Sequence, residues 1–196
     1  MRVLIACEFS GVVRDAFRAH GHDAISCDLL SSDRPGPHIQ GDLLDILDDG
    51  WDLMIAHPPC TYLCAASNGN LHKSGYNLAE KRGAAADFFM TLINAPIPKI
   101  AIENPIGCMS SLYRKPDQVL RANMFGHEYR KDICLWLKNL PHLIPTKLMW
   151  PPYKKLDFWS TNRNPGGRSL KSITFQGVAD AMAEQWGGQS PSGNGQ

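Results

Sequence analysis

Four short apolar runs, each ended by a polar or proline-bearing cluster, constrain this chain most: Val3-Leu4-Ile5-Ala6, Ala24-Ile25-Ser26-Cys27, Asp52-Leu53-Met54-Ile55-Ala56 and Pro98-Lys99-Ile100-Ala101-Ile102. Runs that do not alternate apolar with polar residues suit strands buried on both faces, as in a parallel sheet covered by helices. Gly11 follows the first run, and Val12, Ala16, Phe17 and Ala19 then fall at helical spacing until Gly21. Strand, tight turn, helix and second strand make a parallel β-α-β unit. Residues 78–94 predict a further helix before the fourth run, so the expected class is α/β with a mostly parallel sheet.

Elsewhere the pattern is weaker. The Ser-, Asp-, Pro- and Gly-rich stretch 31–41 predicts a loop. Beyond Pro105, Ile133 to Leu137 predicts a strand, 141–172 a Pro-, Lys- and Gly-rich loop, and Val178 to Trp186 an amphipathic helix. The Gly/Ser/Gln-rich end, Gly187 to Gln196, predicts a disordered tail. A chain of 196 residues with 43% hydrophobic content suits one domain with one core. No apolar run approaches the roughly 20 residues of a membrane helix and no hydrophobic targeting segment opens the chain, so a cytoplasmic protein is expected. Six cysteines without paired short spacing read as reduced thiols in such a compartment.

In open parallel sheets ligands bind beyond the carboxyl ends of the strands. Four such ends carry polar residues here: Glu8-Phe9-Ser10-Gly11, Asp28, His57-Pro58-Pro59-Cys60 and Glu103-Asn104-Pro105. A glycine turn into a helix, followed by acids at Asp28 and Asp42, suits an adenosyl cofactor whose ribose hydroxyls need an acceptor. A dinucleotide fingerprint would need three glycines, and no phosphate-binding Gly-x-x-x-x-Gly-Lys loop occurs, which argues against a nucleoside triphosphate site. Cys60 follows two prolines that stiffen the chain at a strand end, a fitting mount for a nucleophile. A lone cysteine there is more often a small buried hydrophobe. Glu103 changes that balance, because adjacent parallel strands would bring thiol and carboxyl into one cleft, where a carboxylic acid can protonate a ring nitrogen while a thiolate adds to the ring. Zinc on His57, Cys60, Cys64 and Cys108 is disfavoured by the missing Cys-x-x-Cys pair and the stiff Pro58-Pro59, so no metal is expected.

Charge is uneven along the chain. Residues 1–110 hold 8 Lys and Arg against 13 Asp and Glu, a net of −5, whereas residues 111–175 hold 12 against 4, a net of +8. A basic half beside an acidic half suits a protein that binds a polyanion with one region and works with another. Trp136, Trp150, Tyr153, Phe158 and Trp159 lie among Lys147, Lys154, Lys155, Arg163 and Arg168, a mixture suited to stacking on unpaired bases or to a small subcore with a solvated rim.

Taken together, Pro-Pro-Cys at 58–60, Glu-Asn-Pro at 103–105, the earlier glycine turn and acids, and Phe175-Gln176-Gly177-Val178-Ala179-Asp180 resemble the cytosine-5 DNA methyltransferases. Met124-Phe125-Gly126-His127 and Cys134 to Pro141 resemble the short bacteriophage and prophage members in particular. The resemblance spans nearly all of residues 2–187 and implies a Rossmann-like methyltransferase fold of one domain, with 132–172 as a reduced recognition insert and 188–196 as a tail. It implies methyl transfer from S-adenosyl-L-methionine to carbon 5 of cytosine, with Cys60 attacking carbon 6 and Glu103 serving nitrogen 3. Asn104 would orient the loop beside Cys60, and Arg130 or Lys131 would stand near the base carbonyl. The cofactor would lie against Glu8, Phe9, Ser10, Gly11, Asp28, Asp42, Leu43, Pro58 and Gln176, with Phe9 on adenine and Asp28 on ribose.

Three features depart from the family pattern: Thr61 follows the cysteine where many members have Gln, the first turn holds a single glycine, and the basic motif reads Tyr129-Arg130-Lys131. The short 132–172 segment leaves little room for a full recognition region. Expected partners are therefore duplex or single-stranded DNA, or a free deoxycytidine nucleotide with the same chemistry, for a monomer in the bacterial host cytoplasm. A non-catalytic phage module for DNA binding or defence blocking on the same fold is the alternative.

Overall fold

The structure is a computed structural model that describes residues 1–65, 78–128, 131–149 and 173–188. Expectations for Arg130, for the aromatic and basic residues from 150 to 172 and for the tail from 189 onward lie outside the described residues.

Seven strands form one sheet: β1 (Arg2–Ala6), β2 (Asp23–Asp28), β3 (His38–Gln40), β4 (Leu53–Ala56), β5 (Lys99–Asn104), β6 (Gln118–Arg121) and β7 (Asp132–Lys138). Their spatial order is β3-β2-β1-β4-β5-β7-β6. The β1–β2, β2–β3, β1–β4 and β4–β5 pairs are parallel, whereas β7 runs antiparallel to both β5 and β6. The expected α/β class with a mostly parallel sheet is the architecture observed. The order reverses direction at β1, so the crevice beyond the carboxyl ends of β1 and β4 is where this topology opens a site.

Helices α1 (Val12–Ala19) and α4 (Gln176–Gly187) cover one face, and α2 (Leu78–Ile93) covers the other; α3 (Met109–Leu112) is a single turn. The strands serve both faces by strict alternation. Val3, Ile5, Leu53 and Ile55 pack with Val13, Phe17, Val178 and Met182, while Leu4, Ala6, Met54 and Ala56 pack with Phe89 and Leu92. Ala179, Ala181 and Ala183 on α4 are buried, small enough to let that helix close on the core. A side chain the size of Phe17, buried completely, stabilises such a layer by about 2–3 kcal/mol.

Two strands escaped the sequence pattern. β3 lies inside the stretch expected to be loop; it has only three residues at the sheet edge, too few for periodicity to register. β6 is the opposite edge strand, with alternate residues exposed. The strand expected over Ile133 to Leu137 is β7, Asp132–Lys138, set between β5 and β6, so the first residues of the 132–172 segment belong to the sheet, and Trp136 is fully buried. Trp136 rests edge-on against Phe89 with centroids 5.2 Å apart, so it is core and not a stacking platform for bases.

Candidate active site

The register between β4 and β5 builds the centre of the site. Ala56 pairs with Ile102, so the next residues on each strand, His57 and Glu103, stand opposite one another. His57 Nδ1 lies 2.8 Å from Glu103 Oε2. One step further, Asn104 Nδ2 donates to the Pro58 carbonyl at 3.0 Å, fixing the proline pair that leads to Cys60. His57 N–H also donates to Ala6 O, tying the same loop to the end of β1.

The loops beyond these strands are joined as well. Cys64 pairs with Gly107 in an isolated bridge, and Cys108 N–H donates to Leu63 O at 2.8 Å. A Cβ on Gly107 would lie 2.0 Å from Leu63 O, so only glycine allows this approach. The Cys60 loop and the loop that follows Glu103-Asn104-Pro105 are therefore tied directly to each other.

Glu103 is mostly buried, with side-chain exposure of 13%. Burial alone would raise its pKa, but the His57 hydrogen bond, the Lys131 and His57 charges and the Thr174 hydroxyl outweigh it and hold the carboxyl down at about 2. Lys131 Nζ stands 3.9 Å from Oε1 and 5.6 Å from the centre of the Phe175 ring. Thr174 Oγ1 approaches Oε2 at 3.5 Å. Cys60 is half-buried, and its thiol is pushed up from the ordinary range by burial, by Cys64 and by Glu103, against a backbone hydrogen bond and Lys131 that lower it. Cys60, Glu103 and Lys131 thus feel one another's charges in a single cleft, with a protonated thiol and an ionised carboxylate in the free protein. Because that carboxylate carries no proton, the acid role expected of Glu103 requires one to be delivered to it.

The ends of β1, β2 and β3 make a second cluster. Cys7 holds a left-handed backbone (φ 57°) at the end of β1, and burial, then Asp28, Cys27 and Asp42, raise its thiol to about 12. Asp28 Oδ1 accepts from Leu30 N–H and Asp42 Oδ1 from Leu44 N–H, each at 2.9 Å. Among the described residues no hydrogen bond reaches the second oxygen of either, so each keeps an acceptor at the end of this part of the sheet.

Several expected cofactor contacts have other work. Glu8 is buried, and its carboxylate accepts from Val13 N–H at 2.7 Å, Arg14 N–H at 3.2 Å and Ser10 Oγ at 3.1 Å, so it caps α1. Ser10 Oγ also accepts from Val12 N–H. The φ of Gly11 is +72°, and a Cβ there would meet Arg14 Nη2 at 2.5 Å, so the close approach this glycine permits comes from inside the protein. Arg14, fully buried, bonds Ser26, Ser32 and the Arg34 and Pro35 carbonyls, holding the 31–36 loop against α1. Phe9 is 8% exposed, which leaves little ring face for adenine. Leu43 is core, Pro58 is buried, and the Gln176 amide donates to Asp180 along α4 at 2.8 Å. His57, Thr174 and Cys7 are the site neighbours that sequence reasoning did not assign; His57 was weighed there only as a metal ligand.

A cavity of about 460 Å3 adjoins Cys60 through Pro59, Thr61 and Tyr62. A larger one of about 730 Å3, between Leu47 and Asn94, touches neither Cys60 nor Glu103, so volume does not locate the site. Among the described residues no three His, Cys, Asp or Glu side chains gather as a metal would need, and no helix is long and apolar enough to cross a membrane. None of the six cysteines is in a disulfide.

No protein-family model matches the sequence, and no curated protein matches it. Among solved structures the chain is similar to a candidate DNA modification methyltransferase encoded within prophage Cp of E. coli, with a TM-score of 0.48 and 15% identity over 76% of this chain and 52% of that one. It is also similar to a triple-substitution variant of DNMT2 from Spodoptera frugiperda, with a TM-score of 0.44 and 13% identity over 79% of this chain and 56% of that one. The chain thus spans about half the length of each.

Proposed function

We propose that this protein transfers a methyl group to carbon 5 of cytosine in DNA, with Cys60 as nucleophile, Glu103 as the group serving ring nitrogen 3, and S-adenosyl-L-methionine as methyl donor. One observation carries this reading: Cys60 and Glu103 sit at the carboxyl ends of adjacent parallel strands, coupled to each other and to Lys131. Carbon 5 of cytosine is a poor nucleophile until a group adds at carbon 6, and a thiol beside a carboxylate is the pair needed for that addition.

The protonation states balance the first step. Cys60 must lose a proton as Sγ bonds carbon 6, and nitrogen 3 must gain one as the ring accepts the electron pair. Glu103, ionised and electrostatically coupled to Cys60, would relay that proton to nitrogen 3 in concert with sulfur bonding carbon 6, so that no free carboxylic acid has to form. Bound S-adenosyl-L-methionine supplies an electrophilic methyl group. Carbon 5, now enamine-like, would take that methyl as the methyl–sulfonium bond breaks and a neutral thioether leaves; the carbon 5 proton passes to a solvent base as Cys60 departs and the aromatic ring is restored, and the nitrogen 3 proton returns to sulfur by the reverse path. Asn104 keeps the Pro58-Pro59-Cys60 loop at fixed height by its bond to Pro58 O. Lys131, 3.9 Å from Glu103, would meet the base carbonyl, and Arg130 is the other basic candidate. Asp28 and Asp42 would hold the adenosyl part. In duplex DNA the base must first be flipped out, which costs a few kcal/mol.

A second substrate, a free deoxycytidine nucleotide, gains support from the place of Asp132–Lys138 in the sheet, which shortens the segment left for sequence recognition. The test is transfer of labelled methyl from S-adenosyl-L-methionine to duplex DNA, single-stranded DNA and deoxycytidine monophosphate in parallel, with Cys60→Ser as control. Label on one acceptor, only with Cys60 present, is the expected result and names the substrate. Absence of label on all three together with absence of cofactor binding by calorimetry overturns the proposal in favour of a non-catalytic module.

A further inference from the structure

We infer that His57 is a positioning residue for Glu103: its Nδ1–H anchors Oε2 and so turns Oε1 toward the substrate ring. The inference rests on the function proposed above and deepens it. Three observations carry it. An ionised carboxylate only accepts, so the 2.8 Å contact requires the imidazole hydrogen to sit on Nδ1. His57 Nε2 is buried and makes no hydrogen bond among the described residues, so the ring's polar contact runs through Nδ1 to Glu103. Thr174 Oγ1 approaches the same oxygen, Oε2, whereas Oε1 has Lys131 at 3.9 Å, beyond hydrogen-bond length. Oε2 is thus held by two hydrogen-bond donors, whereas Oε1 meets the Lys131 charge without a hydrogen bond among the described residues.

The backbone supports this assignment. His57 and Glu103 are 46 residues apart, as are Pro58 and Asn104, so two successive cross-ties, one through each pair, lock the strand ends in one register. Among the described residues the titratable groups around Glu103 are His57 and Cys60 beyond β4, Lys131 ahead of β7 and Cys134 on β7, with Thr174 ahead of α4 as the uncharged donor. Of these, His57 alone has a nitrogen within hydrogen-bond length of the carboxylate.

The experiment uses the full chain labelled with 13C at the glutamate side-chain carboxyls. Only five glutamates are present, so Glu103→Gln assigns the Glu103 signal directly. Titration from pH 7 to pH 3 is followed in the wild type, His57→Ala, His57→Asn and His57→Gln, and methyl transfer is measured in each. Asn places an amide N–H near the Nδ1 position; the longer Gln does not. Wild type and H57N are expected to keep the Glu103 signal in its carboxylate form throughout. H57A and H57Q are expected to begin protonating in that range, their midpoint moved up by about 1 pH unit or more. Their kcat is expected to fall about 100-fold with KM within about twofold, H57N retaining most of the rate. If H57A does not fold, the H57N and H57Q pair decides by the same contrast. A wild type that transfers methyl, with H57A or H57Q titrating and turning over like it, overturns the positioning role and leaves the function standing. A wild type that transfers no methyl to any acceptor, with the titrations differing as stated, overturns the function and leaves the hydrogen-bond assignment standing.

Discussion

Glu8 and Glu103 occupy comparable places, one just beyond β1 and the other at the end of β5, both beside the crevice and both accepting hydrogen bonds. Their partners differ in kind. Glu8 bonds the backbone N–H groups that open α1, plus Ser10, so its acceptors complete a helix terminus that would otherwise be left buried and unpaired. Glu103 bonds His57 and Thr174 side chains and sits near a lysine, so its surroundings can shift protons and be rearranged by a ligand. A carboxylate held by backbone is part of the fold. One held by titratable side chains at a cleft is available for chemistry.

Exchanging each glutamate for glutamine breaks this comparison most sharply. Glu103→Gln is expected to lower methyl transfer about 100-fold or more, because the amide cannot carry the proton from Cys60 to the ring. Glu8→Gln is expected to change the rate only as far as it lowers the folded fraction. Single-turnover kinetics at a temperature where both variants are fully folded checks this, and equal rate losses would remove the distinction.

Acid provides the next test. Glu103 titrates at about 2 when folded against an ordinary value of 4.5. A carboxyl whose folded pKa is depressed contributes stability that is present above the unfolded value and lost as pH falls toward the folded one. That difference corresponds to about 3 kcal/mol, lost between about pH 5 and pH 2. Denaturant unfolding of wild type and Glu103→Gln at pH 7, 5 and 3 should show the stability difference moving toward the variant as pH falls. A difference independent of pH would mean the carboxyl is not held ionised.

Glu8→Ala sharpens the structural side. It removes a cap and leaves two buried backbone donors without acceptors, so a loss of about 2 kcal/mol in unfolding free energy is expected. Loss below about 0.5 kcal/mol would show that water or another group replaces the carboxylate.

The sequence exposed the buried strands because continuous apolar runs have one economical home, and it exposed Cys60 and Glu103 because each follows such a run. It hid the division of labour between the two glutamates, since both are simply acids after a strand. Separating them required knowing that Val13 and Arg14 N–H groups point back at Glu8, and that Ala56 pairs with Ile102. His57 was hidden for the same reason: strand register is a tertiary property, and without it His57 is a histidine before a proline. Trp136 stayed open between two readings because an aromatic among cations looks alike in a core strand and on a nucleic-acid surface.

The smallest effects belong to the proposed cofactor side of the crevice, where Asp28 and Gln176 separate a half-used carboxylate from a side chain engaged along its own helix. Asp28 spends one oxygen on Leu30 N–H and offers the other beside Asp42. Removing one such acceptor from a ribose contact is worth about 1.4 kcal/mol, so Asp28→Ala should weaken S-adenosyl-L-methionine binding about tenfold by calorimetry. Gln176→Ala gives up only the exposed bond to Asp180 and should leave the dissociation constant within about twofold. If the two variants weaken binding equally, the amide of Gln176 turns away from Asp180 when cofactor binds, and α4 then belongs to the pocket as well as to the core.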